Sequence, residues 1–431
     1  MRRMLAMLAA AAIAVGACST STGGTTAPST GGGASSAPAS SAPSTGAGEF
    51  DPAAIEGDLV LQGWSAGAVE APILEKLLVQ FQAAYPKIKV KFEPVAGEYP
   101  AAMAAKFSSG DVPDVFYVDS AFAPTWIDDQ LLAPLDDYIA KSAVDTSQFY
   151  EGYLNAFKGP DGKIYGLPKD GNTLGMAYNT DMLTKAGVTA PPTSWEELTA
   201  AAEKLTASGV KSPMCLSSSL DRALAFIYQG GGALFNDDKT ASAIESPESV
   251  AAIDAYLGFF KSGAGKRPGD LGVDWCGQAL GEKKTAIIFE GGWVDPYMKD
   301  QFPDTKYAWA EMPAGKGGKA TMGFTVSYSM GADSKNKDAS WVLISYLTGK
   351  DGMTIWTEGG VANPSRKDVA GAPGKEILIQ AADYARPWSF IPGFSKVNDA
   401  FNNAMTAAIE SGGTGQSVAD ATKAAIDAAL K

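Results

Sequence analysis

Trp64, Asp119, Glu290 and Trp293 are the residues of this chain best placed for chemistry, because each closes or follows an apolar run that reads as a buried strand. The runs are Asp58-Leu-Val-Leu-Gln-Gly-Trp64, Asp114-Val-Phe-Tyr-Val118 ahead of Asp119, and Thr285-Ala-Ile-Ile-Phe289 ahead of Glu290-Gly-Gly-Trp293. Ligands of open α/β sheets lie beyond the carboxyl ends of strands, so these side chains are expected at a ligand edge. A carboxylate accepts from two hydroxyls at once, and an indole plane covers an apolar ring face. Together they suit a grip on a polyhydroxylated ring, and glycines before Trp293 leave room for close approach. Histidine is absent from all 431 residues. That removes Ser-His-Asp and Cys-His catalysis and every histidine metal site, so neither a cofactor nor a metal is expected. Two carboxylates flanking a sugar bond would still suffice for a glycosidase, and sequence does not show whether two of them face each other.

These residues need a scaffold, and the periodicity supplies one. Ile73, Leu74, Leu77, Leu78 and Phe81 recur at helical spacing and stop before Pro86, and Ile88-Lys-Val-Lys-Phe92 then alternates as a strand. Strand, helix and strand in that order predict a parallel βαβ unit. Tyr99 to Phe107 repeats the helix, and Gly110-Asp-Val-Pro113 turns into the third strand. Lys163 to Asn179 reads as an extended segment broken by a polar turn at Lys169-Asp-Gly-Asn-Thr173, a domain crossover. Helices follow over 194–207, with capping residues at Thr193-Ser-Trp-Glu-Glu197, and over 249–261. Phe324 to Met330 alternates as a strand, and helices follow over 338–347 and 396–411. Trp195 and Trp341 fall inside helical patterns and are read as core.

The N-terminus reads as an export signal. Arg2 and Arg3 precede an apolar run from Met4 to Val15, which at 12 residues is too short for a membrane span of about 20. Gly16-Ala17-Cys18 then resembles a lipobox, which makes Cys18 the lipidated first mature residue. Ser19 to Gly48 contains only Ser, Thr, Gly, Ala and Pro. Such a segment cannot bury a core and is read as a flexible tether. With Cys18 taken by lipid, Cys215 and Cys276 remain as a pair in an oxidising compartment and are expected to form a disulfide, two buried thiols being the alternative. The net charge is −13 and no basic run interrupts it, which argues against nucleic acid or an anionic membrane surface as partner.

The motifs in their order resemble the extracellular solute-binding proteins of bacterial carbohydrate ABC importers, in the maltose-binding and multiple-sugar-binding group. The carriers are Gly110-Asp-Val-Pro-Asp-Val-Phe-Tyr-Val-Asp119, Tyr165-Gly-Leu-Pro-Lys-Asp170 with Tyr178-Asn179, and Ser194-Trp-Glu-Glu-Leu198. Ala286-Ile-Ile-Phe-Glu-Gly-Gly-Trp293, Lys337-Asp-Ala-Ser-Trp341 with Tyr346-Leu-Thr348, and Asn363-Pro-Ser-Arg366 complete the set. The resemblance implies a two-lobe α/β fold of the type II periplasmic-binding-protein kind, crossed three times by the chain, with a sugar held in the cleft and lobes that close on it. It places the signal at 1–17, the lipidated tether at 18–50, one lobe at 58–172 and 326–368, and the other at 173–325 and 369–431. Carried over position by position, it adds Ser65, Ser120, Asp170, Asn172 and Thr173 to the cleft, with Phe324, Trp275 and Trp388 in cleft-near segments. One departure is plain: the family commonly has Gly-Asn-Trp where this chain has Gly291-Gly292-Trp293. The Cys215 and Cys276 pair belongs to some members only. The implied protein is a non-catalytic, monomeric receptor, lipid-anchored at the outer face of the cell membrane, that passes sugar to permease subunits. A receptor for another polar solute such as a glycerol phosphodiester, an anchored glycoside hydrolase, and a sensory or adhesive lipoprotein are the alternatives.

Overall fold

The computed structural model describes residues 50–64, 67–360 and 362–431. The expected signal, Cys18, residues 18–49 of the tether and Ser65 lie outside them. Strand β1 (Gly57–Trp64) pairs in parallel with β2 (Ile88–Val95) on one side and β3 (Val115–Asp119) on the other. The helix Gly67–Ala84 links β1 to β2, which is the βαβ unit that the spacing predicts. Leu59, Leu61, Leu77, Phe81, Ile88 and the run Val115 to Val118 are buried in one core. β3 is apolar from Val115 to Val118 because it lies inside the sheet, whereas the edge strand β2 alternates and exposes Lys89 and Lys91.

Three further strands complete this sheet. Leu167–Thr173 (β4) and the later Thr321–Met330 (β10) pair antiparallel, β10 also pairs with β3, and Ala385–Pro387 (β11) lies on its other end. The second sheet centres on β5 (Gly175–Asn179), flanked antiparallel by β8 (Ile287–Glu290) and β9 (Tyr307–Ala310). Outside β8 run β6 (Met214–Cys215) and β7 (Gly265–Lys266), both parallel to it in sense. This sheet has its own core, including Leu198, Leu224, Phe226, Ile253, Ile287, Val397 and Phe401. Two sheets with two cores make a two-lobe α/β fold.

Leu174 alone separates β4 from β5. The polar turn expected at Lys169 to Thr173 is therefore a strand. Its polarity misleads because Lys169 and Asp170 pair with each other inside the protein, so the chain stays extended through them. The return crossing is β10, whose early residue Met322 sits in the second core and whose later residues Val326, Tyr328 and Met330 sit in the first. Ser194 caps the helix Trp195–Ala207 by accepting from the Glu197 amide at 3.2 Å. A last helix, Gly415–Ala429, went unforeseen; it opens with a capping box at Thr414 and Ser417 and buries Val418 and Ile426. Of the two cysteine states, the fold has the bridge: Cys215 and Cys276 form a disulfide with Cα atoms 5.4 Å apart. Among the described residues no helix is long and apolar enough to cross a membrane.

Candidate functional site

At the carboxyl end of β1, Trp64 is half-buried and meets Tyr99 and Tyr117 edge-on, with ring centres 5.3 and 5.1 Å away. Beneath it lies Lys169, only 2% exposed. Its ammonium sits 4.1 Å from the centre of the Trp356 ring, 5.0 Å from Tyr117 and 5.9 Å from Trp64. A buried ammonium is expensive unless paired. Here Asp170 forms the ion pair, three rings present their negative faces, and Trp356 Nε1 donates to the same carboxylate at 3.0 Å. Glu70, in the first turn of the helix after β1, completes the cluster. Burial pushes its carboxyl up, the Lys169 charge pulls it back, and the Asp170 charge adds to the rise.

Asp119 ends β3. Burial pushes its carboxyl up to about 6, against a hydrogen bond from the Ala121 amide at 2.8 Å, and the Asp170 charge pushes the same way as burial. Ser120 is buried, and its hydroxyl has no partner among the described residues. Its amide donates to the Thr325 carbonyl at 3.0 Å, and the Thr325 hydroxyl donates to the Asp170 carbonyl at 2.6 Å. Strand β10 thus ties this polar group together and leads, one residue earlier, to Phe324.

From Phe324 the second group begins. Trp293 lies 5.9 Å from it edge-on, and Trp388 lies 6.1 Å on its other side. All three rings are half-buried, and they adjoin in series through Phe324. Gly291 seats this strip, since a Cβ there would stand 2.3 Å from the Trp293 ring. Trp293 Nε1 donates to Glu290 at 3.1 Å, which also accepts from Arg222 Nε at 3.2 Å and Nη2 at 2.8 Å. The Arg222 guanidinium comes from the helix Leu220–Gln229 and lies 5.3 Å from the Trp293 ring and 5.8 Å from Phe324. Burial pushes the Glu290 carboxyl up while Arg222 holds it down. The second glycine has a different reason. A Cβ on Gly292 would meet Asn172 Oδ1 at 3.0 Å and Lys375 Nζ at 3.1 Å, and Lys375 donates to the Gly292 carbonyl at 2.8 Å while pairing with Asp295. The space an asparagine side chain would enter is occupied by the Asn172 amide and the Lys375 ammonium.

Among the sequence-expected residues, Trp64, Asp119, Ser120 and Asp170 form one group and Glu290, Trp293, Phe324 and Trp388 another, with Asn172 beside Gly292 between them. Thr173 faces inward and donates to the Leu378 carbonyl at 2.7 Å. Trp275 is outside the strip's series of ring contacts: it meets Tyr297 edge-on at 4.8 Å and packs against the cluster that holds the disulfide. Sequence reasoning passed over Glu70, Arg222, Trp356 and Lys375. Arg222 alone left a usable signal, as a lone cation inside the apolar stretch Leu220 to Tyr228.

A model of the bacterial extracellular solute-binding protein family matches residues 64–354. The chain belongs to that family. It is a solute-binding protein and not an enzyme. A galactooligosaccharide-binding protein of Bacillus subtilis is 24% identical over 72% of this chain and 75% of its own. An ABC substrate-binding protein of Listeria monocytogenes, solved with cycloalternan, superposes with a TM-score of 0.75 at 22% identity, covering 86% of this chain and 98% of that one. The cyclic α-maltosyl-1,6-maltose binding protein of Arthrobacter globiformis gives 0.78 at 20% identity, covering 87% and 99%. These likenesses carry the two-lobe fold of the solute-binding protein across nearly its whole folded length.

Proposed function

We propose that this solute-binding protein is a lipid-anchored receptor that captures an oligosaccharide between its lobes and delivers it to the permease of an ABC importer. The observation that carries the reading is the strip Trp293, Phe324 and Trp388, three half-buried rings in series beside hydrogen-bonding carboxylates. One pyranose needs one ring face; a series of rings suits a chain of sugars. Trp64, Asp119, Ser120, Asp170 and Glu70 supply a second, polar wall for the hydroxyl rim, where charge-assisted bonds are roughly twice as strong as neutral ones. The site's cations speak against a phosphodiester: Arg222 is taken by Glu290 and Lys169 by Asp170. The lobes at 58–172 with 326–368 and at 173–325 with 369–431 would close by rotation at Leu174 and within β10. The names of the Listeria, Arthrobacter and Bacillus proteins support a sugar ligand, and that of the Listeria protein supports the importer. The lipobox at Cys18 and the Ser, Thr, Gly, Ala and Pro tether support the anchor.

A thermal-shift panel tests the ligand class. An oligosaccharide at 100 times its Kd adds about 2.7 kcal/mol of stability, and we expect at least one of cycloalternan, malto-oligosaccharides or galacto-oligosaccharides to do so. Stabilisation by a glycerol phosphodiester with none of the sugars active would overturn the reading.

A further inference from the structure

The chain has no run of basic residues, yet the fold gathers lysines from four separate segments into one pocket. Lys185, Lys211, Lys266, Lys283 and Lys284 line a cavity of about 530 Å³, in a chain whose net charge is −13. The acidic residue in its lining, Asp270, is taken by Arg267 through Nε and Nη2, both at 3.0 Å. Lys284 reaches Glu282 at 2.7 Å. Lys185, Lys211, Lys266 and Lys283 have no ion-pair partner among the described residues. Unpaired ammonium groups lining one concavity give it a positive potential that favours an anion. The end of the helix Cys276–Gly281 places two of these lysines. Lys283 holds a left-handed conformation at φ 58°, which a side chain other than glycine rarely adopts, and the turn is held by bonds from the Lys283 and Lys284 amides to the Leu280 and Ala279 carbonyls.

The position is as telling as the charge. Lys211 lies just before β6, and Lys283 and Lys284 just before β8, so the pocket is at the amino ends of these parallel strands. Glu290 and Trp293 lie at the carboxyl end of the same β8. An anion could occupy this pole while the aromatic strip stays free for its own ligand.

We propose that this pocket is a second ligand site that takes a phosphate ester. Several compact, hydrated ammonium groups suit a group with multiple charged oxygens. Two sources share the chemistry: the headgroup of an anionic lipid, and a free phosphate-bearing solute. The proposal departs from the expectation that no anionic surface is a partner, because these lysines are distant along the chain and adjacent only in the fold.

The test uses the mature chain, residues 18–431 carrying Cys18→Ser, so that neither signal nor acyl group confounds membrane binding, against the same chain with Lys185→Gln, Lys211→Gln and Lys283→Gln. All three lysines are exposed, and equal melting temperatures confirm that the variant folds. The probes are phosphatidylglycerol-containing vesicles, with phosphatidylcholine vesicles as blank, and inorganic phosphate by calorimetry. Each lysine contributes about fivefold at an anionic surface, so the triple variant should bind about 100-fold more weakly. Parent binding should also fall steeply with salt. Vesicle binding lost in the variant assigns the site to a lipid headgroup; phosphate binding lost in the variant without vesicle binding assigns it to a free phosphate ester. If the triple variant melts lower, Lys211→Gln and Lys283→Gln singly carry the same test at fivefold each. Absence of binding to both probes, or equal binding by parent and variants, overturns the proposal.

Discussion

Trp293→Ala separates a ligand platform from a core residue. The ring is half-buried, touches Phe324 edge-on at 5.9 Å, lies under Arg222 at 5.3 Å, and donates one hydrogen bond to Glu290. Its removal leaves Glu290 still paired with Arg222 through two bonds, so no buried charge is orphaned. Truncating a fully buried Trp costs about 3 to 5 kcal/mol, so a half-buried one should cost roughly 2 kcal/mol of stability. At about 2 °C per kcal/mol for a large domain, the melting point should fall by about 4 °C. Sugar affinity should fall by at least ~2 kcal/mol, about thirtyfold in Kd, because an aromatic anchor concentrates binding energy. Calorimetric titration of both proteins with an oligosaccharide that binds the parent measures the loss, and Trp341→Ala provides the contrast. Trp341 is fully buried and donates to Ser142 Oγ at 2.7 Å, so its loss should show in folding. Parent-like affinity in a folded Trp293→Ala protein would refute the platform.

Three other outcomes follow from the same geometry. Asp119 titrates near 6 in the folded protein against 3.8 ordinarily; its contribution to stability is complete below 3.8 and is lost as pH rises through about 6. Melting curves from pH 4 to 7 should therefore show Asp119→Asn gaining on the parent, while parent sugar affinity should weaken as pH drops through 6 and the ionised acceptor is lost; parallel curves would remove Asp119 from both roles. Asp170→Asn strands the Lys169 ammonium among three rings and should cost about 3 to 5 kcal/mol, read by urea unfolding, and a loss under 1 kcal/mol would mean that the rings alone suffice. Reducing Cys215 and Cys276 opens a loop of separation 61, for which the chain-entropy model gives roughly 4 kcal/mol; calorimetry with and without reductant should show a lower melting point, and coincident transitions would contradict it.

Strand ends were legible because apolar runs closed by a polar or aromatic residue leave a local signature, and Trp64, Asp119 and Glu290 all end strands. Lys169 and Asp170 were misread as a turn because their polarity is cancelled by a pairing that no local pattern reveals. Arg222, Trp356 and Lys375 reach the site from helices or loops far along the chain, and their roles rest on tertiary contacts with Glu290, Asp170 and Gly292. Trp275 shows the converse limit: a tryptophan near the right segment meets Tyr297 edge-on instead, a choice made by side-chain packing.

The most direct test of the sugar-receptor account is a fluorine NMR titration of protein labelled with 5-fluorotryptophan, each of the nine Trp resonances assigned by substitution. With an oligosaccharide, Trp293 and Trp388 should shift together at one-to-one stoichiometry, Trp64 should move as the lobes close, and Trp341 should stay still. If saturating oligosaccharides of every class in the panel leave Trp293 and Trp388 unmoved, the strip is not a sugar platform and the account fails.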